Sequence, residues 1–574
     1  MLTSKSKFNF RDNASTYLRW SIFGAGGIIF LLLAVFILYP SFTLVKNSFI
    51  ADDRLSINNF VELLTDQTTF IVFRNTFIVA FWGAIGATAI GVIVAWLLAR
   101  TDIPFKKFWR TTLIIPYIIP PFIGAIAWVY LLGPVGYLNK IWMAITNTFD
   151  PLWVVYGQDG IIFVMILYSY PIAYMVTLGP LSQMNPALEE AGQISGAGTL
   201  RTLRDITLPL MLPSIGGSAL LIFMSMMANF GIPAVIGFPK RYFVMSTQIF
   251  LTILNFDRAN NLQIAAALSM LLVFLALFTM QLQRWIQKGK SFAIISGKSS
   301  QPQLVQLRKY KYLAITFLGL IVLFTVVLPV LSIIATSLLR ALGLPFIFEN
   351  LSFVNFKRII YEVPKVRRAI RNSFLLAGGS ATSIVFISLI ISYLIVKIKI
   401  KGTMVLEALV LLPYAVPGIV VALAMILAFV KPLPIVNVSI YNTIWIIAIA
   451  YISRFLTFGV RSISAAFEQV HESLEDAARI SGAGVIASFK DIVIPLIRSN
   501  IFAGWFLSFS PALTELTLSM LLFSVGNETL GTVVYGLHQE GKVGMTAALA
   551  FIVLVFVVLL NRVTIRITQG KMGF

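Results

Sequence analysis

The chain has 574 residues, 58% of them hydrophobic and 12% charged, with a mean hydropathy of +0.89, which is too apolar for a soluble domain and reads as a protein whose mass lies in a bilayer. Lys and Arg number 44 against 23 Asp and Glu, a formal charge of +21, but no basic stripe with interleaved aromatics occurs, so no nucleic-acid partner is expected and the charge is read as topology. The lack of any Cys excludes disulfides, thiolate metal sites and cysteine nucleophiles.

A hydrocarbon layer of roughly 30 Å needs about 20 apolar residues per helix. Apolar stretches of that kind predict spans at 21–46, 71–99, 111–133, 160–182, 210–236 and 261–283, then 311–338, 372–396, 405–430, 440–461, 497–523 and 544–565. The first is too long for a signal-peptide core and is read as a retained helix. Lys5, Lys7, Arg11 and Arg19 before it place the N-terminus on the cytoplasmic side. Threading onward puts Arg100, Lys106, Lys107 and Arg110 inside. Also inside fall Arg284, Lys288, Lys290, Lys298, Arg308 and Lys309, then Lys397, Lys399 and Lys401, and finally Arg562, Arg566 and Lys571. The basic segment 357–371, with Lys357, Arg358, Lys365, Arg367, Arg368 and Arg371, falls outside against the charge rule. It is read as an interfacial helix with a solvated face or as a docking surface for an acidic partner.

Residues 285–310 are polar and free of acid, the composition of a linker, and divide the chain into halves at 1–284 and 311–574. The halves repeat each other. Arg74-Asn75-Thr76-Phe77 recurs as Arg371-Asn372-Ser373-Phe374, and Pro116 with Pro120 as Pro413 with Pro417 at the same offset. The prolines break their spans and mark flexing helices. The strongest recurrence is free of gaps: Leu188-Glu189-Glu190-Ala191-Gly192-Gln193-Ile194-Ser195-Gly196-Ala197-Gly198 aligns with Leu474-Glu475-Asp476-Ala477-Ala478-Arg479-Ile480-Ser481-Gly482-Ala483-Gly484, and both run on to a proline, Pro209 or Pro495.

Each copy, 187–210 and 473–496, lies between the fourth and fifth spans of its half, on the side assigned to the cytoplasm. Acids opening a helix and Ser-Gly-Ala-Gly closing it predict a short helix, a glycine turn and a second helix that ends near the proline. Such a hairpin can act as a lever on the spans at either side of it.

Glu-Glu-Ala followed by Gly, then Ile-x-x-Pro, resembles the EAA loop of binding-protein-dependent ABC importers of the type I fold. The resemblance implies an all-α polytopic protein of two homologous six-helix halves, each with a five-span core and about 12 spans in all. It implies that Glu189, Glu190, Ala191, Gly192, Gly198 and Pro209, with Glu475, Asp476, Ala477, Gly484 and Pro495, couple the chain to an ATPase. Asp476 stands for the second Glu and Ala478 for the first Gly, so the second loop docks differently in detail. No Gly-x-x-x-x-Gly-Lys-Ser/Thr phosphate loop occurs, because Gly297-Lys298-Ser299 lacks the earlier glycine. The implied partners are therefore two copies of a separate ATPase, which would carry the ATP and Mg, an external substrate-binding protein, and membrane lipid. No cofactor is expected on this chain, and its location would be the bacterial inner membrane with both termini cytoplasmic.

The fused build resembles the ferric-iron permease group, ahead of thiamine, phosphonate, sugar-phosphate and polyamine permeases. Within the spans, Asn229 and Glu515 fall at equivalent positions. They are read either as pathway groups for a cation or ferric ion or as packing and gate contacts. Met224, Met226 and Met227 read as packing, and His471 and His538 as surface residues, so the metal ligands are unknown. A stand-alone secondary transporter would want more ionisable residues along its spans, and a membrane enzyme would want a catalytic constellation that is not seen.

Overall fold

A computed structural model describes residues 24, 26–287, 304–341, 344–399, 402–432, 437 and 439–567. Lys5, Lys7, Arg11, Arg19, Lys288, Lys290, Lys298, Lys401 and Lys571, and the Gly297-Lys298-Ser299 segment, lie outside them. The fold is all-α. Among the described residues the strands are a single two-residue hairpin, Ile50–Ala51 with Arg54–Leu55.

Among the described residues, eleven helices are long and apolar enough to cross a membrane, and a bent pair brings the number to twelve. In the first half these are α1 (Gly26–Ser48), α2 (Gln67–Arg100), α3 (Pro121–Thr146), α4 (Gln158–Gln183), α6 (Leu203–Met227) and α8 (Asn261–Gln287). Between them lie the short helices α5 (Pro186–Ile194) and α7 (Gly231–Ile236). The second half supplies α9 (Tyr310–Leu338), α10 (Pro364–Ile398), the bent pair α11 (Thr403–Ala415) and α12 (Gly418–Phe429), α13 (Ile444–Gln469), α15 (Phe489–Leu513) and α18 (Val543–Thr564). Its short helices are α14 (Glu472–Ile480), α16 (Thr517–Leu522) and α17 (Leu530–Gln539).

Prolines shape these helices in two ways. The third span of each half breaks where Pro120 or Pro417 takes an extended ψ, and α11 meets α12 at 109°. The expected span at 111–133 therefore becomes short helices before Pro120 and α3 after it, because a proline withdraws a backbone donor and its ring clashes with the preceding turn. Elsewhere the helix continues through the proline by widening. Tyr39, Leu208, Leu328 and Ile494 each precede a proline and donate to the carbonyl five residues back, closing a π turn that moves the crowded carbonyl away from the ring.

The chain forms two compact units. Among the described residues, one joins those up to 47 to 365–533 and to those from 559 onward, and the other joins 48–364 to 534–558. In the first unit, Phe36 and Tyr39 of α1 pack on Phe429 of α12, and Ser453 of α13 donates to the Phe36 carbonyl at 3.3 Å. In the second, Ser332 of α9 donates to the Ala127 carbonyl at 3.2 Å and Phe324 stacks on Trp128 of α3. The first long helix of each half of the sequence, α1 or α9, thus packs in the unit built mainly from the other half. Small residues permit the closest crossings: a Cβ on Gly91 would fall 2.6 Å from the Tyr170 carbonyl oxygen on α4, and one on Gly459 2.6 Å from Ile384 on α10.

Candidate coupling loops and intramembrane polar groups

The repeated loops fold alike. Asn185 accepts from the Ala187 N–H at 3.0 Å and Pro186 follows it in the first turn, so α5 starts on an amide cap with Glu189 in its first turn. In the other loop His471 takes the cap position, its Nδ1 accepting from the Ser473 N–H at 3.2 Å. Gly196 and Gly482 then turn the chain at φ +84° and +87°, a region that favours glycine. The second helix of the hairpin does not end near the proline. It begins at Thr199, runs through the π turn before Pro209, and becomes α6, because that turn removes the clash that would have stopped it.

The acids of the motif divide between inside and outside. Glu189 accepts from Arg100 Nη2 at 2.6 Å and from Thr207 Oγ1 at 2.7 Å, so one carboxylate joins α5 to the end of α2 and the start of α6. The Arg100 side chain is buried, and its Nε and Nη1 have no protein partner among the described residues. Glu475 is likewise buried and lies 3.1 Å from Lys397 Nζ, which directs its hydrogen bond to the Val470 carbonyl at 2.9 Å. Arg100 and Lys397 are separated by the offset that relates the Arg-Asn-Thr/Ser-Phe repeats, so the two pairs are counterparts. From the charge rule these cations are expected only on the side assigned to the cytoplasm, with no pairing to the acids. Their shared offset was the available signal.

The outer surface of each loop is open. Ala191, Ala477, Gly198 and Gly484 are exposed, a Cβ on either of those glycines would meet nothing within 4 Å, and Pro209 and Pro495 are exposed as well. Glu190 is half-buried, and the Asp476 side chain lies outside the described set. Gly192 faces inward, where a Cβ would come 2.6 Å from Ile206 Cδ1. Each loop also presents an apolar residue that the motif did not flag: Ile194 and Ile480, both 88% exposed.

The end of the linker is stitched beside the first loop. Val305 N–H donates to the Arg100 carbonyl at 2.8 Å, and Leu307 N–H to Asp102 at 2.9 Å, with Lys311 at 2.8 Å from the same carboxyl. The Leu307 N–H and the Lys311 ammonium hold that carboxyl below the usual range.

The fifth span of each half stops at the polar residues singled out above. Asn229 accepts from the Ile232 N–H at 3.0 Å and Glu515 from the Leu518 N–H at 2.9 Å, so each caps the short helix, α7 or α16, that follows the break. The expected continuous spans 210–236 and 497–523 are interrupted there. His538 departs from its expected surface position: α17 buries Val533, Val534 and Leu537, and its burial pushes the imidazole down to about 4. No group of three or more His, Asp or Glu able to hold a metal occurs among the described residues.

Long broken helices, twin loops and an internal repeat define a polytopic permease. The sequence profile of the family described as binding-protein-dependent transport system inner membrane component matches residues 87–292 and again 374–570, and the chain belongs to that family. It is the multi-pass permease of an ABC importer. The chain is 28% identical over 544 residues to the ferric transport system permease protein FbpB of Actinobacillus pleuropneumoniae, covering 93% of this chain and 76% of the relative. It is 29% identical to a putative ferric transport system permease protein FbpB 1 of Haemophilus influenzae, covering 87% and 77%. It is 24% identical over 221 residues to the spermidine/putrescine permease PotB of Escherichia coli, covering 37% of this chain and 79% of the relative.

Proposed function

We propose that the chain is the fused permease of a ferric-iron importer, driven by two copies of a separate ATPase that seat on the two loops and carry the ATP and Mg. In this reading Glu190, Ala191, Gly198 and Pro209, with Asp476, Ala477, Gly484 and Pro495, form the docking faces around Ile194 and Ile480. Glu189 and Glu475 hold those faces to the spans, and Gly192 lets α5 lie close to the helix behind it. Both loops and both termini lie in the cytoplasm, and an external binding protein delivers cargo from the other side.

The observation that carries the docking assignment is the duplicated surface. Two exposed isoleucines and two bare glycines recur at one spacing on loops with the same internal anchor. Large apolar side chains left open at matching places suit a protein partner. Closure of the ATPase pair would push the loops together and open the route outward, with hydrolysis resetting it. The caps at Asn229 and Glu515 would then lie along that route, where the ends of broken helices meet cargo. The ferric-iron assignment is supported by the names of the relatives that match along most of this chain. Uptake of radiolabelled ferric iron in a strain lacking the gene tests it: restoration by the intact chain is expected, and uptake of polyamine or sulfate in place of iron would contradict it.

A further inference from the structure

Helix α13 carries two arginines inside a membrane-crossing segment, and neither has a counterpart in the first half. Arg454 lies ten residues from Ile444 and fifteen from Gln469, roughly 15 Å and 22 Å along the axis. Arg461 follows seven residues later, so both fall on one helical face with Phe458 between them and Glu468 at its end. The corresponding residues of α4, at the offset of the loops, are Tyr168, Met175 and Ser182. The face is not sealed by packing, since Arg461 and Glu468 are exposed and Arg454 and Phe458 half-buried.

Polar groups from three elements gather around Arg454. Its Nη1 donates at 3.0 Å to the Val416 carbonyl, which is freed by the break between α11 and α12. A Cβ on Gly418 would fall 3.3 Å from the guanidinium carbon and 3.2 Å from Thr517 Cγ2, so that glycine leaves the room in which the guanidinium lies beside the start of α16. Glu515 caps α16 there, and Tyr451, one turn before Arg454, pairs with Ser519 of the same helix at 2.5 Å. A guanidinium has five donors, and a partly open one in hydrocarbon is costly, whereas one bordering a water-filled route is not.

We propose that Arg454 and Arg461 line the substrate route along α13 and select cargo that presents anionic oxygens. Between Arg454 and Arg461 a bare trivalent cation would meet two guanidinium charges, with Glu468 lying only at the far end of the face. Iron therefore crosses as a complex of net negative charge with carboxylate or oxyanion ligands. The substrate class rests on the importer reading above, while the location of the stripe does not.

The cysteine-free chain allows a test that needs neither ATPase nor cargo. Phe458→Cys in membranes is expected to react with an anionic methanethiosulfonate about tenfold faster than with a cationic one, after correction for their rates with a free thiol. Arg454→Gln with Arg461→Gln should erase that preference. No reaction with either reagent would place the face against lipid and overturn the proposal, as would a preference for the cationic reagent.

In the complete transporter, ferric citrate uptake is expected to fall about tenfold in the double Gln variant and to persist in Arg454→Lys. Uptake of sulfate with no uptake of ferric citrate would make a free oxyanion the cargo, sinking the iron reading and leaving the stripe in place. Uptake of both probes unchanged in the double Gln variant would overturn the stripe's role.

Discussion

Glu189 is bonded through one oxygen to Arg100 at 2.6 Å and through the other to Thr207 at 2.7 Å, so a single carboxylate holds the first loop helix to the spans on both sides of it. Its counterpart Glu475 meets Lys397 at 3.1 Å. Each loop helix is thereby held to a buried cation on a neighbouring span.

Removing one member of such a pair strands the other. Arg100→Ala is expected to cost about 3 kcal/mol, because the half-buried Glu189 is left with Thr207 but without its cation. The double change Arg100→Met with Glu189→Leu should recover most of that loss. Thermal unfolding in detergent measures both, and equal destabilisation by the single and double variants would contradict the pairing.

The bare glycines separate docking from folding. Gly198→Trp and Gly484→Trp place their side chains in open space, so the melting temperature should stay within the small range of surface changes, about 0.5 kcal/mol. Co-isolation with the ATPase should be lost in the double variant. Retained co-isolation would remove these surfaces from the interface.

At the other end of the helices, the repeated asparagine ties the second span to a later loop. Asn75 donates to the Phe243 carbonyl at 3.0 Å, and Asn372 to the carbonyls of Gly526 and Glu528 at 3.0 and 3.1 Å. Next to them, Thr76 and Ser373 accept from the backbone N–H of Met245 and Leu530. Asn75→Ala and Asn372→Ala should each cost about 1–3 kcal/mol by leaving buried carbonyls unpaired. Unfolding of the single and double variants checks this, with additive losses expected.

His538 gives the fold an acid-side weakness. Burial lowers its folded-state value to about 4, against an ordinary value near 6.5. Above pH 6.5 the imidazole is neutral folded or unfolded, and it contributes nothing to pH dependence. Between 6.5 and 4 the unfolded chain takes up the proton first, so stability falls as pH falls, by on the order of 2 kcal/mol once the residue's partial exposure is discounted. Below about 4 both states are protonated and the loss levels off. His538→Phe should flatten the melting temperature between pH 7 and 4.5, and an unchanged slope would contradict the assignment.

The architecture was legible because its signals are long. Twelve apolar stretches and a gap-free repeat survive any error at their edges. The breaks at Asn229 and Glu515 were not legible: both stand out as polar groups within apolar runs, but a polar residue in a span reads equally as a pathway or packing group until its side chain is seen capping the next helix. The inward turn of Glu189 was hidden for another reason. In sequence Glu189 and Glu190 are interchangeable acids, and only the helical phase set by Asn185 decides which one meets Arg100. His538 was misplaced because a lone polar residue beside Glu540 looks solvated, although α17 buries the residues around it.

The proposed coupling requires both loops to seat ATPase copies on one side of the membrane. Introducing a single cysteine at Gly198 or at Gly484 of this cysteine-free chain, and exposing the assembled transporter to a thiol cross-linker, tests that directly. Each variant is expected to capture one ATPase subunit, and the pair together two. Capture at only one position, or labelling of the two cysteines from opposite faces of the membrane, would contradict it.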